Sequence, residues 1–203
     1  MDTSAAFYQY RHLTPRQREL LVRYRQQHGY PWHAPPHAVR EATHYLLTAT
    51  NFEHSCIMNT DERRISFQHG LLEEFRLAGI EASAWVILPN HYHFLAFVPD
   101  FDKAASTFQY LHGSTSRRWN LEDDLVGRKV WYRYSDRAIR SERHFYATIN
   151  YIHHNPVKHR WVGRADEWVC SSIWAYLEMK GRDWLEDIWR EYPPRDYGKG
   201  WDW

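Results

Sequence analysis

"LPNHYHFLAF", residues 88–97, is the stretch on which the reading of this chain turns. A core strand favours Val, Leu and Phe, yet this run carries His91 and His93 around a single tyrosine, Tyr92. Side chains alternate across a strand, so the two imidazoles share one face. Two imidazoles on a rigid strand can share one metal ion. They can equally be ordinary residues of a chain with 14 histidines.

The neighbouring segments give the strand its setting. "SAWVILPNHYHFLAFVPD" reads as two strands joined by a tight turn at Pro89-Asn90. The second is apolar on both faces, as a central strand covered on both sides must be. "THYLLTATN" reads as an earlier strand and "VWYRY" as a later one. Helices are expected over 15–27, capped by Thr14 with Pro15 at the first position, and over 61–78, ending at Gly79. In the latter, Ile65, Leu72 and Phe75 share a face. Others are expected over 101–119, with Phe101, Ala105, Phe108, Leu111 and Trp119 along one stripe, from Ser141 to about Asn155, and briefly around "SSIWAYLEM". "GYPWHAPPH" is an extended linker and "LEDDLVGRK" a loop. This order predicts an α+β domain with an antiparallel sheet and helices packed on it. Residues 1–40 are expected to form a helical extension, 41–178 the main domain and 179–203 a Trp-rich tail.

At 203 residues the chain is long enough for one domain with a sizeable core. No apolar run has the length of a membrane span, and the N-terminus lacks the apolar stretch of a secretion signal. Cys56 and Cys170 form no disulfide framework, which fits a reducing cytoplasm. Net charge is only +1, but residues 103–160 hold 11 Lys and Arg against 5 Asp and Glu. Aromatics make up 17% of the chain, with 11 Trp. Cations interleaved with flat rings suit single-stranded nucleic acid, where phosphates attract charge and bases stack. The plainer alternative is that the rings fill a core and the arginines cover a surface.

The helix from 141 carries a core stripe of Phe145, Ile149 and Ile152. Beside it runs a second: His144, Thr148, Tyr151 and Asn155. Tyr151 and Asn155 therefore project one above the other. Tyr151 either edges the core with its hydroxyl in water or is a nucleophile with Asn155 as a neighbouring oxygen ligand. Asn155 precedes Pro156, which places it near the last turn of the helix.

"LPNHYHFL" followed some sixty residues later by "YIHHNPVK" resembles the HUH single-tyrosine transposases, and within them the REP-associated tyrosine transposases. "WYRYSDRAIRSERHF" and "DEWVCSS" are similar to the same branch, so the likeness spans roughly residues 43–175. It implies a ferredoxin-like antiparallel sheet with the histidine pair on its central strand and the tyrosine on a helix packed across it. It makes His91 and His93 the metal pair, Asn155 a further ligand and Tyr151 the nucleophile. Tyr92 stands where the family has a hydrophobic residue. The implied reaction is cleavage and rejoining of single-stranded DNA through a 5′-phosphotyrosine, aided by Mg²⁺ or Mn²⁺. The implied partner is a short REP-like DNA hairpin, bound by a monomer or homodimer.

The chemistry sets its own requirement. A phenol with a pKa near ~10 is ionised in only about one molecule in a thousand at pH 7, a gap of roughly 4 kcal/mol. A divalent cation held by neutral imidazoles and an amide keeps its charge for an anionic phosphodiester. Arg117, Arg118, Arg140, Lys158 and Arg160 are candidates for the DNA backbone, and Trp119, Trp131 and Trp161 for base stacking, although these rings also suit a core. Two other classes compete: a zinc hydrolase using the histidines with water, although HExxH is lacking, and a non-catalytic module that binds single-stranded nucleic acid. Glu122, Asp123 and Asp124 read as a solvated turn rather than a carboxylate metal site.

Overall fold

A computed structural model describes residues 14–28 and 43–198. Helix α1 (Pro15–His28) comes first, with Thr14 and Gln17 joined as a cap: the Gln17 amide donates to Thr14 Oγ1 at 3.3 Å and the Thr14 amide to Gln17 Oε1 at 2.9 Å. The domain then runs β1 (Thr43–Thr50), α2 (Asp61–Leu77), β2 (Glu81–Ile87), β3 (His91–Val98), α3 (Phe101–Glu122), β4 (Ser135–Ala138) and α4 (Glu142–Lys158). Two more helices, α5 (Ile173–Lys180) and α6 (Arg182–Glu191), follow. The linker expected at "GYPWHAPPH" lies outside the described residues.

The sheet order is β2-β3-β1-β4 and every pairing is antiparallel. With α2 and α3 as the two crossovers, this is the ferredoxin-like arrangement. The β2–β3 turn is short because Pro89 and Asn90 reverse the chain, and the Leu88 amide donates to the His91 carbonyl at 2.8 Å.

Strand β3 is central and buried along almost its whole length. Its Tyr92 and Phe94 side meets Phe67 and Phe75 of α2, and Phe108 of α3 packs against Phe75. Each of these rings withdrawn from water contributes about 1.5–3 kcal/mol. Its His91 and His93 side faces α4. The sheet is therefore sandwiched, and any polar group on either face must find a partner inside the protein.

The helices follow their caps. Thr60 accepts from the Arg63 amide, Asp100 from those of Asp102 and Lys103, and Ser141 from that of His144. Gly79, at φ +73°, closes α2 where a side chain would be strained.

Four local readings shift. The buried face of α2 is Arg64, Phe67, Leu71 and Phe75, with Ile65 and Leu72 only partly buried. On α3 the buried positions are Ala104, Phe108, Leu111, Thr115, Trp119 and Asn120. "VWYRY" is not a strand beyond one bridge, Asn51 with Trp131; the fourth strand is Ser135–Ala138. The Trp131 ring stacks on His112 of α3, and its indole N–H donates to Thr115 at 3.0 Å, so this segment serves the helix layer and the ladder starts later. Helix α4 also continues through Pro156 to Lys158, with Asn155 in its last turn as expected. The His159 amide reaches the Asn155 carbonyl at 3.0 Å beyond the proline.

Part of the C-terminal stretch, residues 182–191, is helical and packs against α4. Asn150 Nδ2 donates to the carbonyls of Ile188 and Tyr192 at 3.0 and 2.8 Å, which ties α6 to α4. No helix among the described residues is long and apolar enough to cross a membrane.

Candidate active site

Strand β3 and helix α4 build the site together. The strand aims His91 and His93 at α4, and the i, i+4 spacing of the helix aims Tyr151 and Asn155 back. The Tyr151 hydroxyl lies 3.0 Å from His93 Nε2. His91 Nε2 lies 3.1 Å from Asn155 Oδ1. The two imidazole rings are 5.0 Å apart, centre to centre, and the His93 ring is 4.9 Å from that of Tyr151. All four residues are buried; Tyr151 is 2% exposed and Asn155 0%.

Each histidine has a second partner on its other nitrogen. His91 Nδ1 is 2.7 Å from Asn90 Oδ1, and His93 Nδ1 is 2.7 Å from Thr48 Oγ1. Thr48 sits directly opposite His93 in the β1–β3 ladder.

The donor set suits a divalent cation. Two imidazole nitrogens and an amide oxygen converge, and Asn155 Nδ2 is a buried amide nitrogen with no hydrogen-bond partner. An amide that gives its oxygen to a cation leaves such a nitrogen. Among the described residues there is no cluster of three or more His, Cys, Asp or Glu placed to hold a metal, so the amide oxygen would complete the set.

Cations surround the tyrosine. Lys158 Nζ stands 5.0 Å above its ring centre. Arg137 of β4 is half-buried; burial lowers its pKa, while the neighbouring Tyr197 and Tyr151 hydroxyls raise it. The C-terminal segment covers the ring. Gly198 packs so closely that a Cβ there would lie 2.2 Å from Tyr151 Cε2, and its φ is +77°. Its carbonyl accepts from Lys158 Nζ at 3.2 Å. The Tyr197 hydroxyl sits 2.7 Å from Thr148 Oγ1 and 3.1 Å from His144 Nε2. Burial, then the charges of Arg137 and Arg140, push the His144 pKa down.

The other candidates are dispersed. Arg117 and Arg118 lie on α3, against the opposite face of the sheet, and Arg118 bonds Ser66 and pairs with Glu122. Arg140 is exposed just before α4, and its backbone amide reaches His144 Nδ1 at 3.3 Å. Arg160 is exposed just past the helix. Trp119 and Trp131 are core, whereas Trp161 is 46% exposed. Asp123 holds Arg63 and Arg128, and these ion pairs bring its carboxyl down to about 2. That acidic run is structural.

Sequence reasoning passed over Asn90, Thr48, Arg137, the Gly198 contact and His159, whose ring is 5.0 Å from that of His91. Asn90 was legible as the residue before the pair. The others depend on strand register or on the path of the C-terminus.

No family model matches the chain. The fold is similar to that of a solved REP-associated tyrosine transposase bound to a REP hairpin, which superimposes with a TM-score of 0.58, at 22% identity, over 73% of this chain and 87% of that one. In sequence the chain is similar to the REP-associated tyrosine transposase of Escherichia coli strain K12. The two are 28% identical over 125 residues, covering 60% of this chain and 72% of the relative.

Proposed function

We propose that this protein cleaves and rejoins single-stranded DNA, with Tyr151 as nucleophile and His91, His93 and Asn155 as the ligands of a divalent cation, Mg²⁺ or Mn²⁺. The observation that carries this reading is the approach of the Tyr151 hydroxyl to within 3.0 Å of His93 across the strand–helix interface. The structural neighbour bound to a REP hairpin supports a hairpin-bearing DNA strand as the partner.

The Tyr151 oxygen bonds to phosphorus, the bond from phosphorus to the 3′ oxygen breaks, and the departing strand leaves as a 3′-hydroxyl. The phenolic proton is given up as the new ester forms. A 3′-hydroxyl attacking the phosphotyrosine reverses the exchange and joins strands without an external energy source. Lys158 and Arg137 favour the phenolate by charge alone. His93 holds the hydroxyl toward the pair, and Asn155 stands one helical turn away. A bound cation would polarise the phosphate and stabilise the departing oxygen. Since the tyrosine is enclosed, DNA reaches it only when residues 197–198 move off the ring.

Incubation with 5′- and 3′-labelled single-stranded hairpins and Mn²⁺ tests the reading. The expected result is a protein–DNA band that survives denaturation and disappears on chelation. A protein that binds the hairpins tightly but never cuts them is instead a binding module, and one that hydrolyses substrates equally well as Tyr151→Phe is a water-using hydrolase.

A further inference from the structure

We propose that Asn90 and Thr48 are positioning residues that lock both histidines in the tautomer with the proton on Nδ1, so that two Nε2 lone pairs face Tyr151 and Asn155. The inference rests on His91 and His93 being the cation-holding pair, and it adds how the fold readies them before any ion arrives.

For His91 the argument starts at the turn. The Asn90 side chain is oriented by its own Nδ2, which donates to the His54 carbonyl at 3.3 Å. Its backbone carbonyl is fixed as well, accepting from the Asn51 amide at 2.7 Å. Oδ1 is thereby left facing His91 Nδ1 at 2.7 Å. An amide oxygen only accepts, so Nδ1 must carry the proton. In a neutral ring Nε2 is then a bare lone pair. Asn155 Oδ1 lies 3.1 Å away, an acceptor against an acceptor, while Asn155 Nδ2 is buried without a partner. Turning that amide over cures both faults by letting Nδ2 donate to Nε2. A cation between Nε2 and Oδ1 cures the first. Both resolutions need the same tautomer of His91. The doubly protonated ring is the one other form that meets both oxygens, and its spectrum is distinct, with protons on both nitrogens.

At His93 a hydroxyl lies within hydrogen-bond distance of each ring nitrogen, and each can donate or accept. A phenol is the far stronger acid of the two. Tyr151 therefore donates to Nε2, and Nδ1–H donates to Thr48 Oγ1 at 2.7 Å. Thr48 is held in place by its cross-strand pairing with His93. The free side chain prefers the opposite tautomer, so this arrangement has to be imposed. Outer hydrogen bonds of this kind set ring orientation and raise ligand basicity at metal sites.

The test uses the full chain without metal and needs no DNA. Side-chain ¹⁵N–¹H correlation spectra should show both rings protonated at Nδ1 only. Thr48→Val, a shape-matched change, should move His93 toward the Nε2–H form and weaken Mn²⁺ binding about 10–100-fold. Thr48→Ser should restore both. Asn90→Asp, which keeps an acceptor, should preserve the His91 tautomer, and Asn90→Leu should lose it. An Nε2–H ring or an imidazolium in the unaltered protein would overturn the proposal. So would Thr48→Val with unchanged spectra and unchanged Mn²⁺ affinity. A protein that shows both Nδ1–H rings yet binds no Mn²⁺ upholds the tautomer assignment and refutes the cation reading instead.

Discussion

Strand β3 carries a tyrosine–histidine hydrogen bond on each of its faces, and the two sit in different surroundings. On the side of α2 and α3, the Tyr92 hydroxyl lies 2.9 Å from His112 Nε2. On the side of α4, the Tyr151 hydroxyl lies 3.0 Å from His93 Nε2. Length and chemistry are nearly the same. The first pair is sealed among Phe67, Trp131 and Phe108, and burial lifts the Tyr92 phenol well above its usual range and lowers His112 to about 3. Both partners stay neutral there, so the bond only ties α3 to the sheet. The second pair has another imidazole beside it, a buried amide with an unused nitrogen, and Lys158 over the ring. Under the proposed reading, these surroundings are what separate the reactive pair from the structural one.

The largest expected contrast is between two single-atom deletions. Tyr151→Phe should reduce covalent adduct to background, and it should also cost about 1–3 kcal/mol of stability because His93 loses a buried partner. Tyr92→Phe should keep the adduct and lower stability by about 1–3 kcal/mol, because His112 loses its partner inside the core. Denaturing gels and urea titrations of both variants decide it.

Next come the histidines. His93→Ala and His91→Ala should each lose most Mn²⁺ affinity, whereas His112→Leu should bind Mn²⁺ as the parent does. Calorimetric titration with Mn²⁺ separates the two faces without any DNA.

A pH effect belongs to the structural side. Burial lowers both His112 and His153 to about 3, from an ordinary value near ~6.5. The unfolded chain therefore takes up protons that the fold refuses. The stability contributed by keeping these rings neutral is fully present above pH ~6.5 and is lost as pH falls toward 3. His153→Gln, which keeps a polar partner for Ser172, should flatten that slope by up to one proton. Urea midpoints between pH 7 and pH 4 measure it. The smallest effect is local. Gly198→Ala should push the C-terminal segment off Tyr151 and speed amide exchange at residues 196–198 without moving the global midpoint.

Much of the frame was legible because the hydrophobic periods are clean and the caps explicit. Thr14, Gly79 and Ser141 end or begin helices where expected, and "HYHFLAFV", apolar on both faces, marks the central strand. That His91 and His93 share a face, and that Tyr151 and Asn155 share another, was legible from two periodicities; that the two faces meet was implied only by the resemblance to the single-tyrosine transposases. What escaped was whatever depends on partners distant in sequence. "VWYRY" alternates like a strand, but Trp131 is drawn to His112 and Thr115, which no local pattern reveals. Thr48 is one threonine among several until the register sets it against His93. Gly198 has meaning only once the chain end returns to Tyr151. Pro156 pointed to a helix end, yet the α4 core carries the helix past it.

The most direct measurement is mass spectrometry of the protein after reaction with a single-stranded hairpin and Mn²⁺, followed by nuclease trimming and proteolysis. The account predicts a nucleotide phosphate ester on the peptide containing Tyr151 and on no other. A nucleotide on a different residue, or cleaved DNA with no modified peptide at any time point, would contradict it.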